Sequence, residues 1–223
     1  MVSRSCYLPR MPFLPAPDIL LAFTLASVLL ILTPGPDMTF FLGQTLAAGR
    51  ARGLAALFGA MTGLLVHSML AAFGLSALLV ASAEAFTLLK IAGVAYLLWL
   101  ALQAIRRGTA LTLARDAGQP QSLMRIFLTG AGVNLLNPKI VMFFLTFLPQ
   151  FVSASDPQAS GTLFFLGLYF IVLCPPICIP MILMADRFTG ALRRSPRIMR
   201  VFDWLFAGLM GAFAVRLLLA RSN

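Results

Sequence analysis

The sequence predicts an all-α membrane protein in which six transmembrane helices form two inverted three-helix repeats, with helices one and four broken at proline motifs. Three observations carry that prediction. Apolar residues make up 60% of the 223 positions and charged residues 11%, with a mean hydropathy of +0.94. A soluble domain needs about a quarter of its residues charged to cover its surface. The apolar residues also fall into six long runs, each able to span the roughly 30 Å hydrocarbon core as a helix. They lack the strict alternation of membrane β-strands. Finally, the first and fourth runs are interrupted at similar depth by proline motifs, Thr33-Pro34-Gly35-Pro36-Asp37 and Asn134-Leu135-Leu136-Asn137-Pro138-Lys139.

Taken in order, the chain opens with a tail over residues 1–18, which contains Pro9, Pro12 and Pro15 and no small-residue cleavage site of a secretory signal. Met11 is an alternative start. The six runs cover approximately residues 19–42, 54–80, 86–105, 123–148, 162–184 and 201–220. Residues 19–106 form the first repeat, 107–122 a cytoplasmic linker and 123–223 the second repeat. Because each repeat holds an odd number of spans, the second copy must lie upside down relative to the first. In carriers of that design the site sits at broken helices near the repeat interface.

Basic residues set the orientation, since short cytoplasmic loops carry the excess of Lys and Arg. Eleven of the 17 Lys and Arg residues lie in the odd-numbered connections or, for Arg125, within the first turn of the run that follows: Arg50 and Arg52; Arg106, Arg107, Arg115 and Arg125; Arg187, Arg193, Arg194, Arg197 and Arg200. The second and fourth connections hold only Glu84 and Asp156. Odd loops are therefore expected in the cytoplasm, with both termini outside, although Arg4 and Arg10 pull the other way. The same placement explains the net charge of +10 without a nucleic-acid partner. The expected surroundings are a lipid bilayer, the bacterial inner membrane. A homo-oligomer is compatible with the sequence.

The two breaks hold the chemistry. Pro34 and Pro36 remove backbone donors where a helix should continue. Pro36 suits the first position of a new half-helix, and Asp37 then lies in its first turn, where the helix dipole favours an anion. An ionisable group at the bilayer centre costs about 3 kcal/mol on insertion scales, so it tends to mark a pathway. The second break has the same grammar, with Asn137 as cap and Pro138 opening the next half-helix. Lys139 conflicts with it, because a cation in a first turn opposes the dipole. Such a conflict points to function or to a paired charge, and Asp37 is the natural partner. The bland alternatives are a capped kink at the first break and a snorkelling lysine at the second.

The remaining polar residues carry less. His67, the one histidine, is either a packing residue or a proton relay in helix two. Glu84 and Lys90 are expected at the outer interface. Asp203 should pair with the inner basic loop and Arg216 snorkel outward. Gly59 and Gly63 form a GxxxG face for close helix packing, and Tyr96 and Trp99 read as core. Cys174-Pro175-Pro176-Ile177-Cys178, with Pro180 beyond, is expected to break helix five. With Cys6 the cysteines number three, which implies no disulfide framework. The thiols of Cys174 and Cys178 are expected to fill space beside the prolines. Their alternative use would be as ligands in a metal or inorganic-ion efflux protein.

At the two break motifs the chain resembles the LysE/RhtB family of small amino-acid exporters, over approximately residues 20–219. Leu89-Lys90-Ile91-Ala92-Gly93-Val94-Ala95-Tyr96-Leu97 and Phe147-Leu148-Pro149-Gln150-Phe151 add to the likeness. The resemblance implies the three-plus-three inverted repeat. It also implies export of amino acids or derivatives such as threonine, homoserine, lysine or branched-chain residues, driven by membrane potential or proton exchange. On the same basis Asp37, Asn137 and Lys139 take the site role. Pro34, Gly35, Pro36, Asn134, Pro138 and His67 complete the expected substrate and proton pathway. A substrate carboxylate would meet half-helix N-termini or Lys139, and its ammonium Asp37 and freed carbonyls. A membrane thiol–disulfide enzyme on a similar repeat would need a cysteine at each break, and neither break has one. No enzymatic constellation, cofactor or bound metal is expected.

Overall fold

The computed structural model describes residues 15–75, 121–152 and 158–185, together with isolated helical positions such as Ile91, Ala95, Leu102, Arg187 and Trp204. Helices three and six lie largely outside the described residues. So do Cys6, Glu84, Lys90, Tyr96, Trp99, Arg106, Arg107, Arg115, Asp156, Arg193, Arg194, Asp203 and Arg216.

Every regular element among the described residues is helical. Helix α1 (Pro17–Leu32) opens on proline at its first position and ends at Thr33. It stops there for a local reason. Pro34 has no N–H to return to the Leu30 carbonyl, and the residue before a proline is driven to extended backbone; Thr33 sits at φ −71°, ψ 122°. Extended Gly35 caps α2 (Pro36–Ala48), which again has proline in its first turn. Gly49 then turns the chain at φ +91°, a conformation that favours glycine, and α3 (Arg50–Leu70) begins at the very next residue. A wide π turn (Ala71–Leu75) extends α3.

The second described segment repeats this pattern. Ser122 caps α4 (Leu123–Leu135) by accepting from the Arg125 N–H. Asn137 caps α5 (Pro138–Met142), which runs on through a π turn (Phe143–Phe147) and a 3-10 turn (Leu148–Phe151). The α1/α2 pair bends by 50° and the α4/α5 pair by 49°. Arg50–Gly74 and α6 (Ala159–Leu183) are each long and apolar enough to cross a membrane alone, and each bent pair supplies a further span if counted as one. These four correspond to the first, second, fourth and fifth runs of the sequence.

One expectation is corrected. Helix five does not break at its prolines: α6 is continuous across Pro175, Pro176 and Pro180. The prolines leave the carbonyls of Ile171, Val172 and Pro176 without their i+4 donors, which a membrane helix tolerates through local adjustment; separately, the Cys174 thiol donates to the Phe170 carbonyl at 3.3 Å. At Pro34 and Pro138, by contrast, the preceding helix has already been capped off.

Packing follows residue size. Gly59 of α3 lies against the backbone carbonyl of Phe127 and Gly130 of α4 against that of Ala56, so the two helices touch main chain to main chain. The GxxxG reading holds, and its second glycine does more than expected. A Cβ on Gly63 would stand 2.6 Å from Asn134 Oδ1, so Gly63 makes the room in which that amide sits. Two apolar clusters flank the breaks. One is aromatic, with Phe23, Phe143, Phe147 and Phe170 at its centre; the other holds Met38, Phe41, Leu42, Leu57, Ile126 and Ile182. Large apolar side chains also face outward, among them Leu21, Leu25, Phe73, Leu128 and Val172. That distribution suits a chain solvated by lipid.

Candidate functional site

Between the two apolar clusters lies a cavity of about 50 Å³, measured by where the centre of a water molecule can sit. Its polar lining is Asp37, Asn134 and Lys139, with Cys174 and Cys178 on the α6 side. Met38, Phe41, Leu57 and Phe170 supply much of the apolar wall.

The two breaks are bonded to each other across this cavity, and the proline arithmetic explains how. Asp37 Oδ2 accepts from Asn134 Nδ2 and from Asn137 Nδ2, both at 2.9 Å. In the other direction, Lys139 Nζ donates to the Thr33 carbonyl at 2.8 Å and to the Leu30 carbonyl at 3.2 Å. The Leu30 carbonyl is free because Pro34 cannot donate to it. Pro138 likewise frees the Asn134 carbonyl, which lies 3.4 Å from His67 Nε2; the Asn137 N–H also reaches it at 3.0 Å. The second break thus supplies the partner that Pro34 leaves missing at the first, while His67 and Asn137 reach the carbonyl freed at the second.

Lys139 is resolved by the same geometry. Its position in a first helical turn opposes the local dipole, but its ammonium reaches back to the carbonyl end of α1, where the dipole is negative and a cation is favoured. The Asn137 side chain meanwhile caps the Lys139 N–H at 3.0 Å. The direct Asp37–Lys139 pair expected from the sequence does not form. The two charges face one cavity, but the carboxylate is held by amides and the ammonium by carbonyls. His67 is buried, stacked on Phe144 at 5.5 Å, and touches the site through the Asn134 carbonyl.

Two acceptors remain open. Asp37 Oδ1 and Asn134 Oδ1 are buried and have no hydrogen-bond partner. An ammonium has three N–H donors, and Lys139 spends two of them on carbonyls. The arrangement therefore leaves acceptors beside an acid and one donor on a cation, a set able to hold a zwitterion by both ends. Sequence reasoning missed the backbone carbonyls of Leu30 and Thr33, together with Gly63. The missing donor at Pro34 was the signal that could have found Leu30.

The family model described as LysE type translocator matches residues 28–221. The chain belongs to that family. A homoserine/homoserine lactone efflux protein of Salmonella typhimurium is 33% identical to this LysE-type chain over 205 residues, covering 90% of the chain and 96% of the relative. A membrane protein of Vibrio cholerae is 31% identical over 205 residues, covering 91% and 97%. A leucine efflux protein of Enterobacter sp. is 25% identical over 196 residues, covering 87% and 92%. No solved structure matches the chain.

In this LysE-type protein the thiols of Cys174 and Cys178 are both buried, and Cys174 is bonded to its own helix. Among the described residues no group of three or more His, Cys, Asp or Glu side chains is placed to hold a metal ion. Replacing both Cys174 and Cys178 by Ala is expected to leave most of the transport intact. The packing cost should be about 1 kcal/mol per site, by analogy with small buried truncations. Side-by-side cadmium tolerance and amino-acid efflux would check this. Metal tolerance that vanished in the variant, with no amino-acid efflux in either form, would favour a metal carrier.

Proposed function

We propose that this chain exports a small amino acid or close derivative across the bacterial inner membrane in exchange for protons. The carrier would be two inverted three-helix repeats with odd-numbered loops in the cytoplasm. The observation that carries the reading is the convergence of opposite charges from equivalent positions. Asp37 and Lys139 each follow the proline that opens a half-helix, and both line one cavity. The efflux proteins among the relatives support the solute class.

The cavity volume suits that class. A single water needs about 10–15 Å³ of centre-accessible space, so the site holds about four waters, or roughly 120 Å³ of liquid. That is room for a short-chain zwitterion. The substrate ammonium takes the open acceptors of Asp37 and Asn134, and its carboxylate the third N–H of Lys139. Protonation of Asp37 from outside then weakens the hold on the ammonium and returns the empty carrier. The carried proton closes the cycle.

Cells preloaded with dipeptides and assayed for efflux of homoserine, threonine, leucine and lysine would test the reading. Efflux of at least one, above a strain lacking the chain, is the expected result; none above that background would refute it. Topology gives a separate check. Reporter fusions after Arg52, Gly118 and Arg194 are expected to report cytoplasm, and those near Ala83 and Ser155 the outside. The reverse pattern would overturn the orientation.

A further inference from the structure

The Lys139 ammonium sits where a free cation could sit. Leu30 offers a carbonyl that Pro34 leaves unpaired, and Thr33 offers one at the point where α1 has ended, so both oxygens point away from any backbone donor of their own helix. Both belong to the negative end of a 16-residue helix. The carboxylate of Asp37 lines the same cavity, with one oxygen unpartnered. Unwound carbonyls and half-helix C-terminal ends are the groups that hold coupling cations in broken-helix carriers.

We propose that the carbonyl end of α1 is a binding site for a small monovalent cation, which this chain fills permanently with its own Lys139 ammonium. The lysine is shaped into that role. Its side chain crosses over Gly35, where an added Cβ would lie 3.0 Å from Nζ and 3.2 Å from Cε. A tethered cation carries no entropy of capture and cannot leave with the substrate. It supplies the charge at the break in every state of the carrier, so the external solution need not provide it. The inference concerns the cage and not the identity of the exported solute.

Cutting the side chain back should reopen the site. Lys139→Ala removes Cγ, Cδ, Cε and Nζ, the atoms of n-propylammonium. Purified Lys139→Ala protein in detergent is expected to gain thermal stability, saturably, with n-propylammonium, while the wild type does not respond. Propanol lacks the charge and tetramethylammonium lacks N–H donors, and neither should act. In cells, efflux by the variant should fall about tenfold or more, as expected for loss of a hydrogen-bonded charge, and n-propylammonium should restore part of it. Absence of any stabilisation by n-propylammonium, sodium or potassium would overturn the proposal, whatever the efflux assay shows. Two further variants decide the matter if Lys139→Ala does not accumulate. Gly35→Ala crowds the ammonium and Lys139→Met removes its charge, so both should lose stability. Wild-type stability and efflux in both would mean that the cage needs no cation.

Discussion

Asp37→Asn is expected to abolish proton-driven efflux while leaving the protein folded and inserted. The geometry makes this substitution unusually clean. Asp37 Oδ2 accepts both amide bonds, and Oδ1 accepts none. An asparagine can therefore place its carbonyl oxygen where Oδ2 stands and its NH₂ toward the open side, where Asn134 Oδ1 also lacks a partner. The shape and the two bonds survive; only the charge and the proton site are lost. A hydrogen bond to a charged group contributes about 1.5–3 kcal/mol, which corresponds to roughly ten- to a hundredfold in the fraction of carrier holding substrate. Efflux driven by an imposed pH gradient, measured beside membrane protein level, checks the prediction. Full activity would remove Asp37 from the proton pathway.

Gly59→Leu is expected to have the largest effect on folding. At Gly59 there is no side chain to move aside, because the space belongs to the Phe127 carbonyl and the start of the Ala131 main chain. Overpacking a well-packed core commonly costs 1–3 kcal/mol, and a clash against backbone should lie at or above about 3 kcal/mol. Gly43, by contrast, has nothing within 4 Å of an added Cβ, so Gly43→Ala should be tolerated. Comparing the two by membrane accumulation and thermal unfolding separates close packing from a general intolerance of glycine substitution. Equal behaviour would mean that α3 and α4 are not locked at this contact.

The sequence disclosed the elements that depend on local chemistry. Pro34, Pro36 and Pro138 each remove a donor that no distant residue can restore to the ladder, so the breaks were legible and so were their caps. The partners across the breaks were not. Nothing near Lys139 in the chain says that its ammonium will take the Leu30 and Thr33 carbonyls; that follows from how α5 is set against α1. The attraction of opposite charges suggested Asp37 instead, and two asparagine amides hold that acid. Pro175 and Pro176 show the converse error. The same residue type that ends α1, where Thr33 before it is extended, leaves α6 continuous. The π turns at Ala71–Leu75 and Phe143–Phe147 left no mark that periodicity could read.

Gly49 has a mechanical consequence. As the single residue between α2 and α3, it gives the joint no slack, and the glycine contacts bolt α3 onto α4. The half-helix carrying Asp37 and the helix carrying Asn134 are thus parts of one strut, and a push on either moves both. The carboxylate–amide contact rides inside that strut and need not stretch during a stroke. The ammonium–carbonyl contact joins α5 to α1 across its edge. Any rocking of this machine should therefore pivot about the joint where Lys139 holds α1, a contact kept throughout the stroke.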